Sequence, residues 1–357
     1  MKEKMSSKSI SKLSAISLEW EDVNLWNELP SSLCKHQSNR PRLAKNEDYA
    51  EAILKCWMDD NMQQSQEHPP LVESSALIYE CDDVLDNSKT DQSNKIRTKL
   101  YGHVYRPKQT NEMNKKIPAI ILFHTAAGPH DIFLHWKAYR LASSNTGFIV
   151  FIADMFSDDI GWAWDDDRSK YNAVRDHLLQ IHPNEKTRCS LRTRIEASFI
   201  HLQNVIPNID TNRIGAIGWC FGGHIALELI NMKSNVFGLK ALATFHGVFH
   251  GACSMLDEAN GTNVQESIES VDKDNLPQLL IFNGEKDPFI SLDDKLAAQK
   301  LMSNHLWKWI DYKNCYHGFS NPAQATNSNP NFDYNEDAAK KSWDSVCQFL
   351  NKNLRTD

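Results

Sequence analysis

Cys220 lies in the segment whose residue types are best suited to chemistry. An apolar run over 214–217 predicts a buried strand, and it is followed by Gly-Trp-Cys-Phe-Gly-Gly and by an apolar run at 225–229 that is typical of a helix. A nucleophile on a tight strand-to-helix turn needs glycines two residues before and after it, because a Cβ atom would clash there. The helix N-terminus would favour a thiolate. The segment predicts a nucleophile elbow at Cys220, and the alternative is an ordinary glycine-rich turn around a buried cysteine.

An acid and a histidine follow Cys220 in the order of a catalytic triad. The apolar run 279–282 ends in a polar turn that carries Asp287, and the predicted strand 309–312 precedes the Tyr-His-Gly-Phe block that carries His317. Nucleophile, acid and histidine, each placed just after a strand, occur in this order in α/β-hydrolases. We therefore predict Cys220, Asp287 and His317 as the catalytic residues.

Strands and helices are predicted to alternate from residue 118 onward, which is typical of a mostly parallel sheet with helices on both faces. Strands are expected over 117–124 and 148–153, and helices over 130–146, 193–205, 297–304 and 336–353. The expected fold class is the α/β-hydrolase fold with an N-terminal helical extension. Active sites of such folds lie at the carboxyl ends of the strands, where this sequence places His124, Asp154, Cys220, His246, Asp287 and His317.

The first part of the chain, residues 1–74, is interpreted as an N-terminal extension, and residues 75–357 as the hydrolase domain. Residues 1–17 are expected to be disordered. Two helices are expected after them, one with Leu18, Asp22, Leu25 and Leu29 on one face, and one from a cap at Asn46 to about Met58. We expect a helical cap on the hydrolase domain, and the alternative is an interaction segment for another chain. Segments 76–81 and 96–105 then predict an antiparallel pair at the sheet edge.

Composition indicates which partners to expect. The 357 residues are 41% hydrophobic and 24% charged, which suits one large α/β domain with an extension. A net charge of −7 leaves no basic patch for nucleic acid. Eight cysteines without metal-ligand spacing favour a reducing compartment, with no metal and no cofactor. No segment approaches the roughly 18 apolar residues of a membrane helix. A cytoplasmic protein acting on a small molecule is expected, with the oligomeric state and a transit peptide left open.

The sequence resembles the dienelactone hydrolase family, whose members are α/β-hydrolases with Cys, Asp and His as their triad. The likeness runs over roughly residues 75–350, and its most specific pieces are the Gly-Trp-Cys-Phe-Gly-Gly, Gly-Glu-Lys-Asp and Tyr-His-Gly-Phe blocks. Segment 119–128 resembles the early strand and oxyanion-hole loop of the family, and 242–247 resembles the strand after the nucleophile helix. The resemblance implies a hydrolase that cleaves an ester or a lactone.

The expected mechanism begins with attack of the Cys220 thiolate on a carbonyl carbon and passes through a thioester. The backbone N–H of Phe221, the residue after the nucleophile, is expected to bind the oxyanion, and the family likeness adds the N–H of Ala126. An ester or lactone is favoured over a peptide bond, because an amine leaves less readily than a thiolate. Acyl transfer on the same triad and a non-catalytic binding protein of the same fold are the alternatives.

Two positions depart from the family pattern. Thr125 stands where members that act on dienelactone carry a Glu beside the thiol, so we expect the resting thiol to be largely ionised. Asn321 stands where those members carry an Arg that binds the substrate carboxylate, which argues against a small anionic lactone as the substrate. Arg168 is the candidate to replace that Arg, and segment 251–275 is expected to form part of a lid. The candidate substrate-binding residues are Thr125, Trp162, Trp164, Arg168 and Trp219.

Overall fold

The computed structural model of the chain describes residues 18–22, 47–64, 72–84, 95–108, 116–143, 147–157, 168–181, 188–232, 236–255 and 276–355. These residues form a nine-stranded sheet in the order β1-β2-β3-β5-β4-β6-β7-β8-β9. The strands are β1 Glu21–Asp22, β2 Val72–Val84, β3 Lys95–Pro107, β4 Ile117–Phe123, β5 Ile149–Ala153, β6 Ile209–Trp219, β7 Leu239–Phe245, β8 Gln278–Gly284 and β9 Trp307–Tyr312. The pairs from β5 through β4 to β9 are parallel, whereas the pairs that involve β1, β2 and β3 are antiparallel.

Helices pack on both faces of this sheet, as the predicted fold class requires. They are α1 Glu47–Gln64, α2 Ile132–Ser143, α3 Arg168–Leu179, α4 Cys189–Val205, α5 Gly222–Asn231, α6 Leu292–Leu301 and α7 Glu336–Leu354. Short 3-10 helices cover Val236–Gly238, Met302–Asn304 and Pro322–Thr326. The alternation predicted from residue 118 onward is confirmed.

The central strands are buried on both sides because two apolar cores enclose them. In β4, Ile121 and Phe123 belong to the core under α4 and α5, whereas Ile120 and Leu122 belong to the core under α2 and α7. All four side chains are fully buried. Continuous apolar runs of this kind are typical of parallel strands covered on both faces. Each such side chain contributes about 1.5–3 kcal/mol relative to exposure, which holds the strand ends rigidly in place.

The N-terminal extension differs from its prediction in one respect. The predicted helix that starts at Leu18 is wrong where the structure describes it, because Glu21 and Asp22 are extended and pair with Ser74 and Glu73 of β2. This pairing satisfies backbone groups that an edge strand would leave open. Leu25 and Leu29, residues 1–17 and the Asn46 cap lie outside the described residues. The second helix is confirmed as α1, and the division of the chain at residue 74 stays a prediction.

The predicted antiparallel pair of 76–81 with 96–105 is confirmed near one edge of the sheet. His103, Val104 and Tyr105 of β3 pair with β5 on the inner side, and only the two-residue β1 lies outside β2. One helix also begins earlier than predicted. The helix expected to begin at 297 begins at Leu292, because Ser291 caps it with its hydroxyl oxygen accepting from the Asp294 N–H at 3.0 Å.

Helix α3 was not expected from the sequence. Its residues are mostly polar, and only Leu178 is fully buried. Tyr171 and Val174 complete a narrow stripe that packs against the core, and a stripe this thin is hard to recognise in a sequence. Within the part of the chain that the structure describes, no helix has both the length and the apolar character needed to span a bilayer.

Candidate active site

Cys220 lies in the turn between β6 and α5 with a backbone φ of 50°. This left-handed conformation is uncommon for a residue with a side chain, and it marks strain of the kind found at functional sites. A Cβ atom on Gly218 would lie 2.7 Å from the carbonyl oxygen of Gly222, and one on Gly222 would lie 3.1 Å from the carbonyl oxygen of Phe123. The steric reason for the glycines is therefore present, and the predicted elbow geometry is formed.

Backbone hydrogen bonds hold the strained turn. The Cys220 N–H donates to Phe245 O at the end of β7 at 3.2 Å. The Cys220 carbonyl accepts from Gly223 N at 3.0 Å and from Val248 N at 2.8 Å. With both backbone groups engaged, the turn is fixed to the neighbouring strand and the sulfur keeps its position above the sheet.

Asp287 and His317 meet next to this sulfur. The His317 Nδ1 donates to Asp287 Oδ2 at 2.8 Å, and both side chains are buried. Asp287 Oδ1 accepts from the Phe289 N–H at 2.9 Å, which holds the carboxylate in place. The His317 ring also contacts the rings of Phe289, Phe332 and His246, with centroids 4.7, 5.2 and 4.9 Å away. The structure thus brings together the three residues predicted as a triad.

The charges of Cys220 and His317 depend on one another. Burial alone would raise the pKa of the Cys220 thiol, but the positive charge of His317, a hydrogen bond to it and the Ala126 N–H together lower the pKa. Burial alone would lower the pKa of His317, but the negative charges of Cys220 and Asp287 raise it to about 10. Both shifts favour the thiolate form of Cys220 and the imidazolium form of His317, which is the direction predicted for the resting thiol.

The expected oxyanion donors flank the sulfur. The Ala126 N–H is hydrogen-bonded to the Cys220 sulfur, and Phe221 is the N-cap residue of α5. Both residues line the same cavity as Cys220. Thr125 has a different role from the one expected, because its Oγ1 accepts from the Ala127 N–H at 3.0 Å and its side chain is not part of the cavity wall. Thr125 shapes the oxyanion loop from within.

Two strand-end residues, His124 and Asp154, fix the loops around the site. His124 donates from Nδ1 to Thr125 O at 2.7 Å and accepts from the Met155 N–H at 2.9 Å, so its ring joins the ends of β4 and β5. Burial lowers its pKa to about 3, which keeps the ring neutral. The Asp154 carboxylate accepts backbone N–H groups from Tyr101 and Phe156 at 2.9 and 2.7 Å. Neither side chain lines the cavity that contains Cys220, and both hold backbone groups of the surrounding loops.

The cavity above Cys220 has a volume of about 1050 Å³. Its charged and titratable lining is mainly basic, although the chain as a whole carries a net charge of −7. The arginines Arg168, Arg175 and Arg188 give the wall this character, although Arg175 pairs with Asp176 at 2.7 Å and Arg188 lies 3.9 Å from the Glu228 carboxylate. A basic wall in a cavity with apolar neighbours concentrates anionic groups near the nucleophile.

Arg168 is the first residue of α3 and lines this cavity, as expected of a substrate-binding residue. Its guanidinium lies 4.4 Å from the ring centroid of Tyr171, and that of Arg175 lies 5.5 Å from the same centroid. Tyr171 lines the same cavity as Cys220, and burial and then the charge of Cys220 raise the pKa of its hydroxyl. Tyr171 was missed in the sequence, where its spacing of three and four residues from the two arginines was the available signal.

Trp219 is not a cavity residue, contrary to expectation. It is fully buried in the core on the other side of the sheet, stacked on Phe245 at 5.3 Å and edge-on to Phe133 at 5.8 Å. The reason is the alternation of side chains along β6, which points Trp219 away from the face that Cys220 serves. Trp162 and Trp164 lie outside the described residues, as does most of the predicted lid, although Gly251 at its start lines the cavity.

A mostly parallel sheet with a nucleophile elbow after β6, an acid after β8 and a histidine after β9 defines an α/β-hydrolase. The sequence profile of the dienelactone hydrolase family matches residues 100–354, and the chain belongs to this family. The protein is accordingly a hydrolase of carboxylic esters or lactones.

Individual relatives are distant. An uncharacterized protein of Caenorhabditis elegans is 25% identical over 162 residues, which cover 45% of this chain and 92% of that protein. A Synechocystis protein with the provisional name carboxymethylenebutenolidase is 29% identical over 165 residues, 45% of this chain and 58% of the relative. A metagenomic crystal structure described as a dienelactone hydrolase-like promiscuous phosphotriesterase aligns with a TM-score of 0.58 at 22% identity, covering 79% of this chain and 99% of that one. At 22% identity, the likeness to this crystal structure is evidence for the fold alone.

Proposed function

We propose that the protein cleaves an ester or lactone by covalent catalysis, with Cys220 as nucleophile, His317 as proton carrier and Asp287 as the residue that orients His317. The observation that carries this proposal is the hydrogen-bonded line from Asp287 through His317 to the sulfur of a strained elbow residue. Nucleophile, base and orienting acid in contact are the arrangement that acyl transfer requires.

The first half of the reaction forms a thioester. The thiolate attacks the carbonyl carbon, and the electron pair of the carbonyl moves to oxygen. The N–H groups of Ala126 and Phe221 stabilise the resulting oxyanion, and donors of this kind are worth about 3–4 kcal/mol each. When the tetrahedral intermediate collapses, the carbon–oxygen bond of the ester breaks, and His317 gives its proton to the departing alkoxide.

The second half returns the enzyme to its resting state. His317, now neutral, takes a proton from a water molecule, which attacks the thioester carbonyl. Collapse of the second tetrahedral intermediate releases a carboxylic acid and the Cys220 thiolate, and the imidazolium is restored. Asp287 stabilises the charged His317 ring in both halves of the reaction. It also keeps the His317 Nδ1 proton in place, so that His317 Nε2 faces the reacting atoms.

The substrate is proposed to carry an anionic group beside the ester or lactone. The basic side chains of the cavity wall support this, and Arg168 at the start of α3 is the proposed contact for the anion. A guanidinium suits carboxylates because it can donate two parallel hydrogen bonds. The name of the Synechocystis relative, which refers to a lactone hydrolase, agrees with this reaction class.

The test is a screen of short-chain aryl esters, thioesters and lactones with the wild type and Cys220→Ala. Cys189→Ala is the matched control, because Cys189 is also half-buried and begins helix α4. We expect Cys220→Ala to lose at least about 10³-fold in kcat and Cys189→Ala to keep wild-type kcat. Mass spectrometry of quenched reactions should find the acyl group on Cys220. A Cys220→Ala enzyme with wild-type kcat would contradict the proposal.

A further inference from the structure

Tyr49 connects the N-terminal helix α1 to both sides of the active site. Its side chain is 3% exposed, and its hydroxyl donates to the Asp131 carboxylate, whose two oxygens lie 2.9 and 3.0 Å away. The same hydroxyl accepts from Asn321 Nδ2 at 3.1 Å. One hydroxyl thus joins two segments that are 190 residues apart in the chain.

The first of these segments contains the oxyanion loop. Asp131 lies five residues after Ala126 and caps α2, since its Oδ1 accepts from the Phe133 N–H at 3.1 Å and its carbonyl accepts from the Leu134 N–H at 2.9 Å. The Gly128 N–H donates to Thr125 O at 3.2 Å, which makes the segment between them a tight turn. A shift of Asp131 would therefore be passed to the Ala126 N–H.

The second segment carries the catalytic histidine. Asn321 follows His317 by four residues, and its N–H donates to Gly318 O at 2.8 Å. Its Oδ1 accepts from the Ala323 N–H at 3.1 Å and so caps the short helix Pro322–Thr326. Asn321 is 3% exposed and does not line the cavity. At this position, where the family resemblance leads one to expect a substrate-binding Arg, the side chain faces Tyr49 instead.

We propose that Tyr49 is a positioning residue that holds the oxyanion loop and the His317 loop at a fixed separation, with the Cys220 sulfur between them. Ala126 on the first loop and His317 on the second loop both interact with the Cys220 sulfur, so the separation of the loops affects both contacts. Tyr49 lies outside residues 100–354 that match the family profile, so this chain obtains part of its site geometry from its own extension. The assignment rests on the proposed roles of Cys220, His317 and Ala126.

The burial of the three partners gives the bridge its strength. Tyr49, Asp131 and Asn321 are all at most 6% exposed, so water cannot readily replace a lost hydrogen bond. Hydrogen bonds to charged groups are stronger than those between neutral groups, and a buried group left unsatisfied is costly. Removing the hydroxyl should therefore move the two loops rather than leave them in place with an open donor and acceptor.

Tyr49→Phe separates positioning from packing, because it keeps the ring and removes both hydrogen bonds. The first measurement is the rate of Cys220 alkylation by iodoacetamide as a function of pH, followed by mass spectrometry. We expect the midpoint to rise and the rate at pH 7 to fall by about tenfold, since Cys220 loses well-placed contacts from His317 and Ala126. On an active ester, kcat should fall by about 10- to 100-fold with KM changed less than about threefold.

Trp57→Phe is the matched control on the same helix. Trp57 is buried and packs against Tyr139 at 5.4 Å, without a described part in the bridge. We expect it to lower Tm and to leave the Cys220 alkylation profile unchanged. Asn321→Ser, which keeps an oxygen to cap Pro322–Thr326 but loses the amide donor, should reproduce the effect of Tyr49→Phe. The double variant should lose little more than the stronger single variant.

Two results would overturn the positioning role. One is a Tyr49→Phe protein with the wild-type alkylation profile and only a lower Tm; the other is a Trp57→Phe protein with the same altered profile. The alkylation measurement needs no substrate. If the wild type hydrolysed no ester while Tyr49→Phe still changed the Cys220 profile, the proposed hydrolysis would fail and the bridge would stand.

Discussion

At the scale of single residues, the contact between Cys220 and His317 determines what the site can do. The local charges outweigh burial at both residues, and the two pKa shifts favour an ionised sulfur before any substrate arrives. A serine in the same place would need its proton removed during the reaction, whereas a preformed thiolate does not. Ionisation also makes the sulfur open to alkylation and to oxidation by peroxide.

Cys220 should be alkylated by iodoacetamide with a midpoint below the free-thiol value of about 8.5, because the pKa of its thiol is lowered. Its rate at pH 7 should exceed that of every other cysteine. Cys189 is the internal comparison, since it is half-buried at a helix start but has no described contact with His317. Peptide mapping after short exposures measures both rates. A midpoint near the free-thiol value, or slower labelling than Cys189, would show that the sulfur is not ionised at rest.

Asp287→Asn should leave the fold intact and reduce kcat by about 10²–10⁴-fold, because the amide no longer stabilises the charged His317. Asp311→Asn is the matched control. Asp311 is partly exposed on β9 and bonds to Lys295 at 2.6 Å and to Asn283 at 3.0 Å, away from His317. Its replacement should change kcat by less than about threefold. The measurement is kcat of both variants on an active ester. An equal loss of kcat at both positions would show that Asp287 is not the acid of the triad.

Arg168→Ala should raise KM for an ester that bears a carboxylate by about tenfold or more, because one charge-assisted hydrogen bond is lost. kcat should change little, and a neutral ester of the same size should keep its KM. Lys170→Ala, two residues along α3 and exposed, controls for a general change in charge. Equal KM values for the anionic and neutral esters in the wild type would remove Arg168 as the anion contact.

At the scale of elements, the conformation of the turn from β6 into α5 depends both on local sterics and on the neighbouring strand. The glycines make the left-handed Cys220 sterically possible, but the hydrogen bonds to Phe245 and Val248 of the next strand and its following loop maintain it. The elbow therefore depends on the pairing of β6 with β7. A fault in that pairing would displace the sulfur even if no residue of the turn itself were changed.

Gly218→Ala should lower the free energy of unfolding by about 1–3 kcal/mol and also slow Cys220 alkylation. The reason is that its Cβ would meet the fixed carbonyl of Gly222 at 2.7 Å. Gly215→Ala in the same strand is the control, because its Cβ would meet only the methyl ends of Leu354 and Leu350, at 2.9 and 3.0 Å. Urea unfolding gives the stability change. The Gly215→Ala variant should keep the wild-type rate of Cys220 alkylation. A lower rate in this variant would show that the loss of Cys220 reactivity does not come from the turn itself.

At the scale of the whole molecule, a set of buried neutral histidines links the fold to acid stability. Burial lowers the pKa of all of them, and the set is His103, His124, His135, His224 and His246. The unfolded chain binds their protons below about pH 6.5, whereas the folded protein does not until lower pH, so stability falls as pH falls through that window. Burial raises the pKa of Asp131 and of Asp154 to about 6. These carboxylates therefore bind protons more readily in the folded protein, and their contribution to stability increases as the pH falls.

The free energy of unfolding should therefore decline as the pH falls below about 6.5, and His124, whose folded pKa is about 3, should contribute about 1.4 kcal/mol per pH unit to this decline. Urea unfolding at several pH values measures the slope. His124→Gln removes one of these groups, whose folded pKa is about 3, and should reduce the slope by about one proton. A slope that is unchanged in this variant would exclude His124 as a contributor.

Much of the site was predictable because it depends on local rules. Cys220, Asp287 and His317 could be placed from strand ends and chain order, and the glycines around Cys220 from the clash that a Cβ would cause. Trp219 could not be placed, because a strand buried on both faces has the same apolar pattern whichever way its side chains point. Tyr171 was missed because α3 has only a thin apolar stripe.

The sequence by itself determined the parts of this protein that follow from sterics and periodicity over a few residues: the elbow, the alternation of strands and helices, and the order of the catalytic residues. The tertiary structure alone decided which distant segments meet. It paired β1 with β2, gave the cavity its basic wall, and placed Tyr49 between Asp131 and Asn321. The physical reason is that a buried polar side chain needs a partner, but the sequence carries no signal for which of many polar residues the fold will bring within hydrogen-bond distance.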